Sequence, residues 1–422
     1  MSDPPRDWNQ RRLADLVRIP NGQVDPRIEP FRSQILIAPD HIASGSGHII
    51  QRETAASQGA ISGKYQIFAG DVLYSKIRPA LRKAARADFS GICSADMYPL
   101  RPSAEIDSGY LLNVILSDRF SEFAESVSGR SGIPKINRTE FEEFWLALPP
   151  IAEQRRIAEI LDAAEEEIRS TERLIVKLEQ AKQGLLRDLL TCGIDEPGNL
   201  RDASLHPGQF CNTSLGLLPK EWAVVSIHDV AESVTSGSRA WAAYYAESGA
   251  LFLRIGNLTR KHINLRLTAR SFVRPPMNAE LRRTAVQPDD VLISITADLG
   301  IIGVVPSSLG EAYVNQHIAL VRPTSRALGR WIGYFLSSYR AQAQFAMLND
   351  AGAKAGLNLP AVGRLKIGLP RSVDERERIV AILDAHESEI VTHQASLAKL
   401  RSVKQGLMDD LLTGRVRVGA SA

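Results

Sequence analysis

The chain of 422 residues has no apolar run of about eighteen or more, so no helical membrane span is expected. Its three cysteines, Cys93, Cys192 and Cys211, are too widely separated for a zinc pattern or a disulfide framework. The opening "MSDPPRDWNQ" lacks the apolar core of a secretory leader, and a reducing cytoplasm is the expected location. The eight histidines form no His-Glu-x-x-His zinc motif, and no Gly-Lys-Ser/Thr loop is present to cradle nucleotide phosphates. Asn-Pro-Pro-aromatic, which would hold a flipped adenine, is missing, as is Phe-x-Gly-x-Gly for S-adenosylmethionine. The glycine-rich "SGSGH" (44–48) stands in a poor strand–turn–helix context for a cofactor loop. No catalytic residue, metal or cofactor is therefore expected. Asp289 and Asp290 after Pro288 are read as a turn opening a strand, because no Glu-x-Lys or Asp-x-Lys follows to complete a nuclease site. His386 and His393 are read as interface residues rather than a metal pair.

What is present is ordinary globular material, with 44% hydrophobic and 23% charged residues. The length suits two to three domains. Net charge is only +3, but residues 192–374 hold 19 Lys and Arg against 14 Asp and Glu, so the positive excess is local.

The chain repeats itself. "AKQGLLRDLLT" (181–191) returns as "VKQGLMDDLLT" (403–413), and residues 153–191 match 375–413 at 20 of 39 positions without a gap. In the first copy apolar or small residues recur every three or four positions, and both copies lack proline and are rich in Glu, Lys, Arg, Gln and Leu. A helix of that length, roughly 58 Å, with a narrow apolar stripe needs a partner, and the other copy is the obvious one. The expected seam is Ile157, Leu161, Ile168, Leu178, Leu185 and Leu189 against Ile379, Leu383, Ile390, Leu400, Leu407 and Leu411. Gly184 and Gly406, retained in both copies, suggest close backbone packing. An antiparallel pair leaves the linker only a turn to make. A parallel pair would send it back along the rod, which at about 3.3 Å per residue it could span.

The segments ahead of the helices match more weakly. Trp8, Leu13 and Asp15 parallel Trp222, Ile227 and Asp229, "AGDVLYSKI" parallels "PDDVLISIT", and "MYPLRP" parallels "IALVRP". Short β-rich runs such as "SQILIA" and "IIGVVP" are followed by a helical stretch in each. The fold class expected is α+β, with two related lobes each followed by a long helix. The helices would pair as an antiparallel coiled coil with approximate two-fold symmetry. The boundaries expected are a first lobe at 1–150, first helix 151–191, linker 192–219, second lobe 220–370, second helix 371–414 and tail 415–422.

Two related but unequal lobes suit a duplex with two unequal half-sites. Basic clusters support this. Lys64, Lys76, Arg78, Arg82, Lys83 and Arg86 face only Asp71 in sequence, and Arg254–Arg283 holds eight cations, including Arg260 and Lys261, against Glu280. Asn137, Asn257, Asn315, Gln316 and Asn358 could read base edges. Arg130 and Lys135 in and after "SGRSG", Arg239 in "SGSR" and Lys354 complete the candidates.

With these residues laid out, the chain resembles the specificity subunit of type I restriction–modification systems. The likeness rests on "LPPIAEQRRIAEILDA" and "LPRSVDERERIVAILDA" opening the two helices, the two "KQGL" phrases near their ends, and lobe phrases such as "AYVNQHIALVRP". It implies that each lobe is a target-recognition domain reading half of a bipartite, non-palindromic site in double-stranded DNA. It also implies that the helices set the gap, that two methyltransferase subunits dock, that restriction and translocase subunits join them, and that the subunit itself does no chemistry. The alternatives are a stand-alone bipartite DNA-binding regulator and a coiled-coil scaffold that binds only protein.

Overall fold

The computed structural model describes residues 5, 7–129, 132–237, 240–276, 279–350 and 356–419. It divides into two compact units, Met1–Arg173 with Gln394–Ala422, and Leu174–His393. No helix among the described residues is long and apolar enough to cross a membrane.

The first unit is built on two four-stranded sheets. One runs Val17–Arg18, Met97–Pro102, Val72–Ser75, Ala84–Arg86; the other runs Glu53–Thr54, Ile35–Ile37, Gly91–Cys93, Tyr65–Ile67. Val72–Ser75 is buried throughout, which is why its residues read as a continuous apolar run rather than an alternation. Helices Ser108–Leu116 and Asp118–Val127 follow. The sequence reads this stretch as one helix, but Ser117 breaks it. Its backbone is extended (ψ 155°) and its hydroxyl accepts from Phe120 N, so it caps the second helix while ending the first. A short pair, Asn9–Arg12 against Trp145–Leu148, closes the unit.

The second unit repeats this plan. Its first sheet runs Ala231–Ser236, Ile318–Pro323, Val291–Ser294, Ile302–Val304, strand for strand as in the first unit. Its second sheet also pairs two strands in parallel, Ala250–Leu253 with Ala312–Val314. Phe272–Val273 flanks Ala250–Leu253 as Glu53–Thr54 flanks Ile35–Ile37, but the edges differ. Tyr245–Ala246 adds an outer strand, and in place of Tyr65–Ile67 only an isolated bridge from Ala285 to Tyr313 lies beside Ala312–Val314 among the described residues. Helices Gly329–Ser337 and Tyr339–Asp350 meet at an extended Ser338, and Trp222–Ser226 pairs with Lys366–Pro370.

Both long helices form, over Ile151–Leu189 and Val373–Leu412. In the first unit Ile157 and Leu161 share a core with Met408 and Leu411, and Glu172 accepts from Arg401. In the second, Leu186, Leu189 and Leu190 share a core with Ile379 and Leu383. Early positions of one helix meet late positions of the other in each unit, so the pair is antiparallel. Burying each such Ile or Leu contributes about 1.5–3 kcal/mol. Along the expected seam Ile168 and Ile390 are also buried, while Leu178, Leu185, Leu400 and Leu407 are half-buried. Gly184 and Gly406 are a correction: a Cβ at either position would meet nothing within 4 Å. Their shared glycine does not bring two backbones together, and nothing in the structure explains it.

The helix starts are clasped in the same way twice. Glu153 is buried, accepts from the Trp8 indole at 3.2 Å and takes two bonds from Arg417 at 2.8 Å. Glu375, its counterpart, accepts from Trp222 at 3.2 Å and from Arg201 at 2.5 Å. In each unit the segment following one helix supplies the arginine that closes on the start of the other.

Candidate nucleic-acid interface

The central strand of each unit begins at a buried carboxylate. Asp71 receives Arg101 through two bonds of 3.1 Å, and Asp290 receives Arg322 at 3.1 and 2.8 Å. Such a planar fork fixes both partners in orientation as well as position, and ties the start of the strand to its neighbour. Asp290 also accepts from Gln287 N at 2.7 Å, the geometry of a turn opening a strand.

Past the strand the chain turns sharply at equivalent positions. Arg78 has φ +50° and Ala297 φ +59°. Left-handed backbone costs an L-residue roughly 1–2 kcal/mol, so the surroundings must impose it. In the first unit Arg78 N donates to Pro134 O at 2.8 Å and Ile136 N to Lys76 O at 2.9 Å. In the second, Ile295 N donates to His317 O at 3.0 Å and Leu357 N to Ile295 O at 2.8 Å.

The first turn presents cations. Arg78 is exposed and has no side-chain partner among the described residues, and a bridge between Ile77 and Lys135 brings exposed Lys135 alongside. Lys76 stands 5.4 Å over the Tyr98 ring. Other expected contacts serve the fold. Lys64 is buried, with its ammonium on Ser62 O and Oγ at 2.7 Å, and burial pushes its pKa below the ordinary lysine value. Arg82 pairs with Asp118, and Lys83 donates to Pro39 O at 2.8 Å.

The second turn presents different chemistry. Beside Ala297, Thr296 Oγ1 lies 2.8 Å from His317 Nδ1, whose Nε2 lies 2.9 Å from Gln316. Arg260 is held by Asp298 and by Leu299 O at 2.7 Å. Arg254, Lys261 and Arg282 are exposed with no side-chain partner among the described residues. Arg130, Arg239 and Lys354 lie outside the described residues.

Of the four asparagines, only Asn257 has both its amide oxygen and its amide nitrogen engaged by backbone, while among the described residues the other three engage only Oδ1 locally. Asn137 caps helix Arg138–Glu142 and Asn358 caps Leu359–Arg364, each accepting a backbone N–H at 2.8 Å. Buried Asn257 accepts from Arg254 N and donates to Arg266 O, both at 2.9 Å. Buried Asn315 accepts from His317 N. The sequence reading passed over His48, His262 and the helix residues beside them. Glu165/Glu387 and Lys182/Lys404 are identical in both helix copies, but so are other charged positions such as Asp162/Asp384 and Lys177/Lys399, so the repeat alone did not single them out.

The family model of the type I restriction modification DNA specificity domain matches residues 5–180 and 219–401, and the chain belongs to that family. It is 35% identical over 153 residues to the type I restriction enzyme EcoDI specificity subunit of Escherichia coli, a stretch covering 36% of this chain and 34% of that protein. Over 437 residues it is 22% identical to a putative type I restriction enzyme specificity subunit, MjaX, of Methanocaldococcus jannaschii, covering 98% of this chain and 95% of the relative. Its fold is similar to the solved S subunit of a type I restriction-modification system from M. genitalium, with TM-score 0.63 at 14% identity over 97% of this chain and 99% of that one.

Proposed function

We propose that this chain reads a bipartite, non-palindromic target in double-stranded DNA on behalf of a type I restriction–modification complex, one half-site per lobe. The carrying observation is one frame used twice with unlike contents. The same strand order and the same Asp–Arg fork present a left-handed turn in each unit, with Lys76, Arg78 and Lys135 at one and Thr296, Gln316 and His317 at the other. A conserved frame with divergent contents is what two different half-sites require. Arg254, Lys261 and Arg282 add charge for phosphate in the second unit. The paired helices set the gap and carry docking surfaces for two methyltransferase subunits, which restriction and translocase subunits join in the cytoplasm. The chain supplies address, and its partners supply chemistry. Co-expression with a type I methyltransferase subunit and genome-wide mapping of methylated bases tests this. A two-part motif with a fixed unread gap is expected, and a continuous palindrome would refute it.

A further inference from the structure

The two long helices carry the same Glu–Lys ion pair twice, once in each unit, buried in the second and largely buried in the first. Glu165 Oε2 lies 2.6 Å from Lys404 Nζ, and Glu387 Oε2 lies 3.2 Å from Lys182 Nζ. These four residues are two repeat-equivalent pairs with the helices exchanged. A histidine from a lobe loop approaches the carboxylate in both units, His48 at 3.9 Å from Glu165 and His262 at 4.0 Å from Glu387. The two histidines are themselves equivalent, spaced in the chain as Trp8 is from Trp222.

The loops lead onward to the turns. In the first unit Arg169 bonds His48 at 3.2 Å, and Gly45 N, three residues before that histidine, donates to Arg82 O at 3.0 Å, in the turn that begins at Arg78. In the second, Lys182 donates to Lys261 O at 2.8 Å and Asn264 donates to Glu387 at 2.8 Å. Arg260 in that loop then holds Asp298 and Leu299 O, in the turn containing Ala297. Each path runs from helix pair to histidine loop to left-handed turn. A buried ion pair contributes little to stability compared with a well-packed apolar pair, and its best attested use is to fix register.

We propose that this duplicated Glu–Lys pair with its loop histidine is a positioning latch, which registers each lobe's left-handed turn on the paired helices and so keeps the unread gap to one length. The inference rests on the reading of each lobe as a half-site reader. It assigns Glu165, Lys404 and His48, and Glu387, Lys182 and His262, as positioning residues rather than DNA contacts.

The test uses the chain assembled with its methyltransferase subunits, on duplexes whose half-sites are fixed and whose gap is the cognate length or one base pair longer or shorter. Glu165→Gln and Glu387→Gln should each lower the preference for the cognate gap about tenfold, the scale of coupling through packed polar networks, with base preference inside each half-site unchanged. Glu165→Lys combined with Lys404→Glu should recover that preference. A uniform loss of methylation at every gap, or an unchanged preference in a folded, assembled variant, would overturn the latch. Should the glutamine variants fail to accumulate, His48→Gln and His262→Gln carry the same expected and overturning outcomes. A wild-type complex that methylates no two-part site at all refutes the functional reading first, and is told apart from latch failure because no variant enters that measurement.

Discussion

In the first unit the step from the central strand into its turn ends on Arg78, exposed and without a side-chain partner among the described residues; in the second the same step ends on Ala297, beside the hydrogen-bonded chain of Thr296, His317 and Gln316. Around these turns almost everything agrees: strand order, the Asp–Arg fork, the asparagine-capped short helix, the Trp–Glu–Arg clasp. Frame and contents are thus separable. The forks and clasps of the frame rest on buried carboxylates whose arginine and tryptophan partners lie far along the chain, so changing one member strands another. The backbone of each turn is held by the lobe, but side chains such as Arg78 at its tip face solvent and whatever docks there, and could diverge after duplication without unfolding the lobe.

If that separation is real, damage to the frame should cost stability in both units and damage to the tips should not. The largest effect is expected at the forks. Asp290→Ala leaves Arg322, whose side chain is 18% exposed, without its carboxylate, and should destabilise the second unit by about 3–5 kcal/mol. Asp71→Ala should cost less, because Arg101 is 30% exposed and keeps its stack on Phe68 at 4.6 Å. Equilibrium denaturation of the two variants checks the order; a larger loss at Asp71 would show that the forks are not equivalent parts of one frame.

The helix pair should respond symmetrically. Ile157 and Ile379 are repeat-equivalent and fully buried, each in the core of its own unit. Truncating either to alanine should cost about 2–4 kcal/mol, with the two values alike. A loss confined to one of them, measured the same way, would mean that only one unit depends on the pairing.

These contrasts explain what the sequence could disclose. The helices were legible because their apolar spacing is local and is written twice, and the lobes because "DVLYSKI" and "DVLISIT" open their central strands with the same Asp-Val-Leu. Asparagine roles were not legible: Asn137 as a cap requires a helix to start immediately after it, and the same residue type on an open loop would be free to bind. Nor did the basic clusters show which cations are spent. Lys64 and Arg78 look alike in composition, yet one is buried on Ser62 and the other is open to solvent. The break at Ser117 was hidden inside an unbroken helical pattern, because a single extended residue leaves the apolar spacing on either side intact.

The tips supply the next prediction. Arg78→Ala should weaken binding of target duplex by about 1–3 kcal/mol if the guanidinium reads a base, with preference relaxed at one position of one half-site. If it meets phosphate instead, the loss should be uniform across sequences and the salt dependence should fall by about one ion. Lys64→Met should leave duplex affinity unchanged in the folded protein. Filter binding or fluorescence anisotropy across salt concentrations separates these outcomes, and equal losses at Lys64 and Arg78 would erase the distinction between frame and tip in the first unit.

The smallest expected effect concerns the first unit's loop. His48 is partly buried among Arg169 and Lys404, with Glu165 and Asp162 opposing them, and its pKa is lowered from the ordinary 6.5, chiefly by burial and next by Arg169. The neutral ring is then the folded form, and below pH 6.5 the unfolded chain binds a proton that the folded chain resists. Stability therefore rises with pH across that window. The contribution is complete above 6.5 and is lost as pH falls toward the folded value. Thermal unfolding of wild type and His48→Gln between pH 7.5 and about 5 measures it. The variant should lose part of the acid-side decline seen in wild type. An identical decline in both would place the acid sensitivity elsewhere, and would leave His48 a contact of the latch that does not titrate with it.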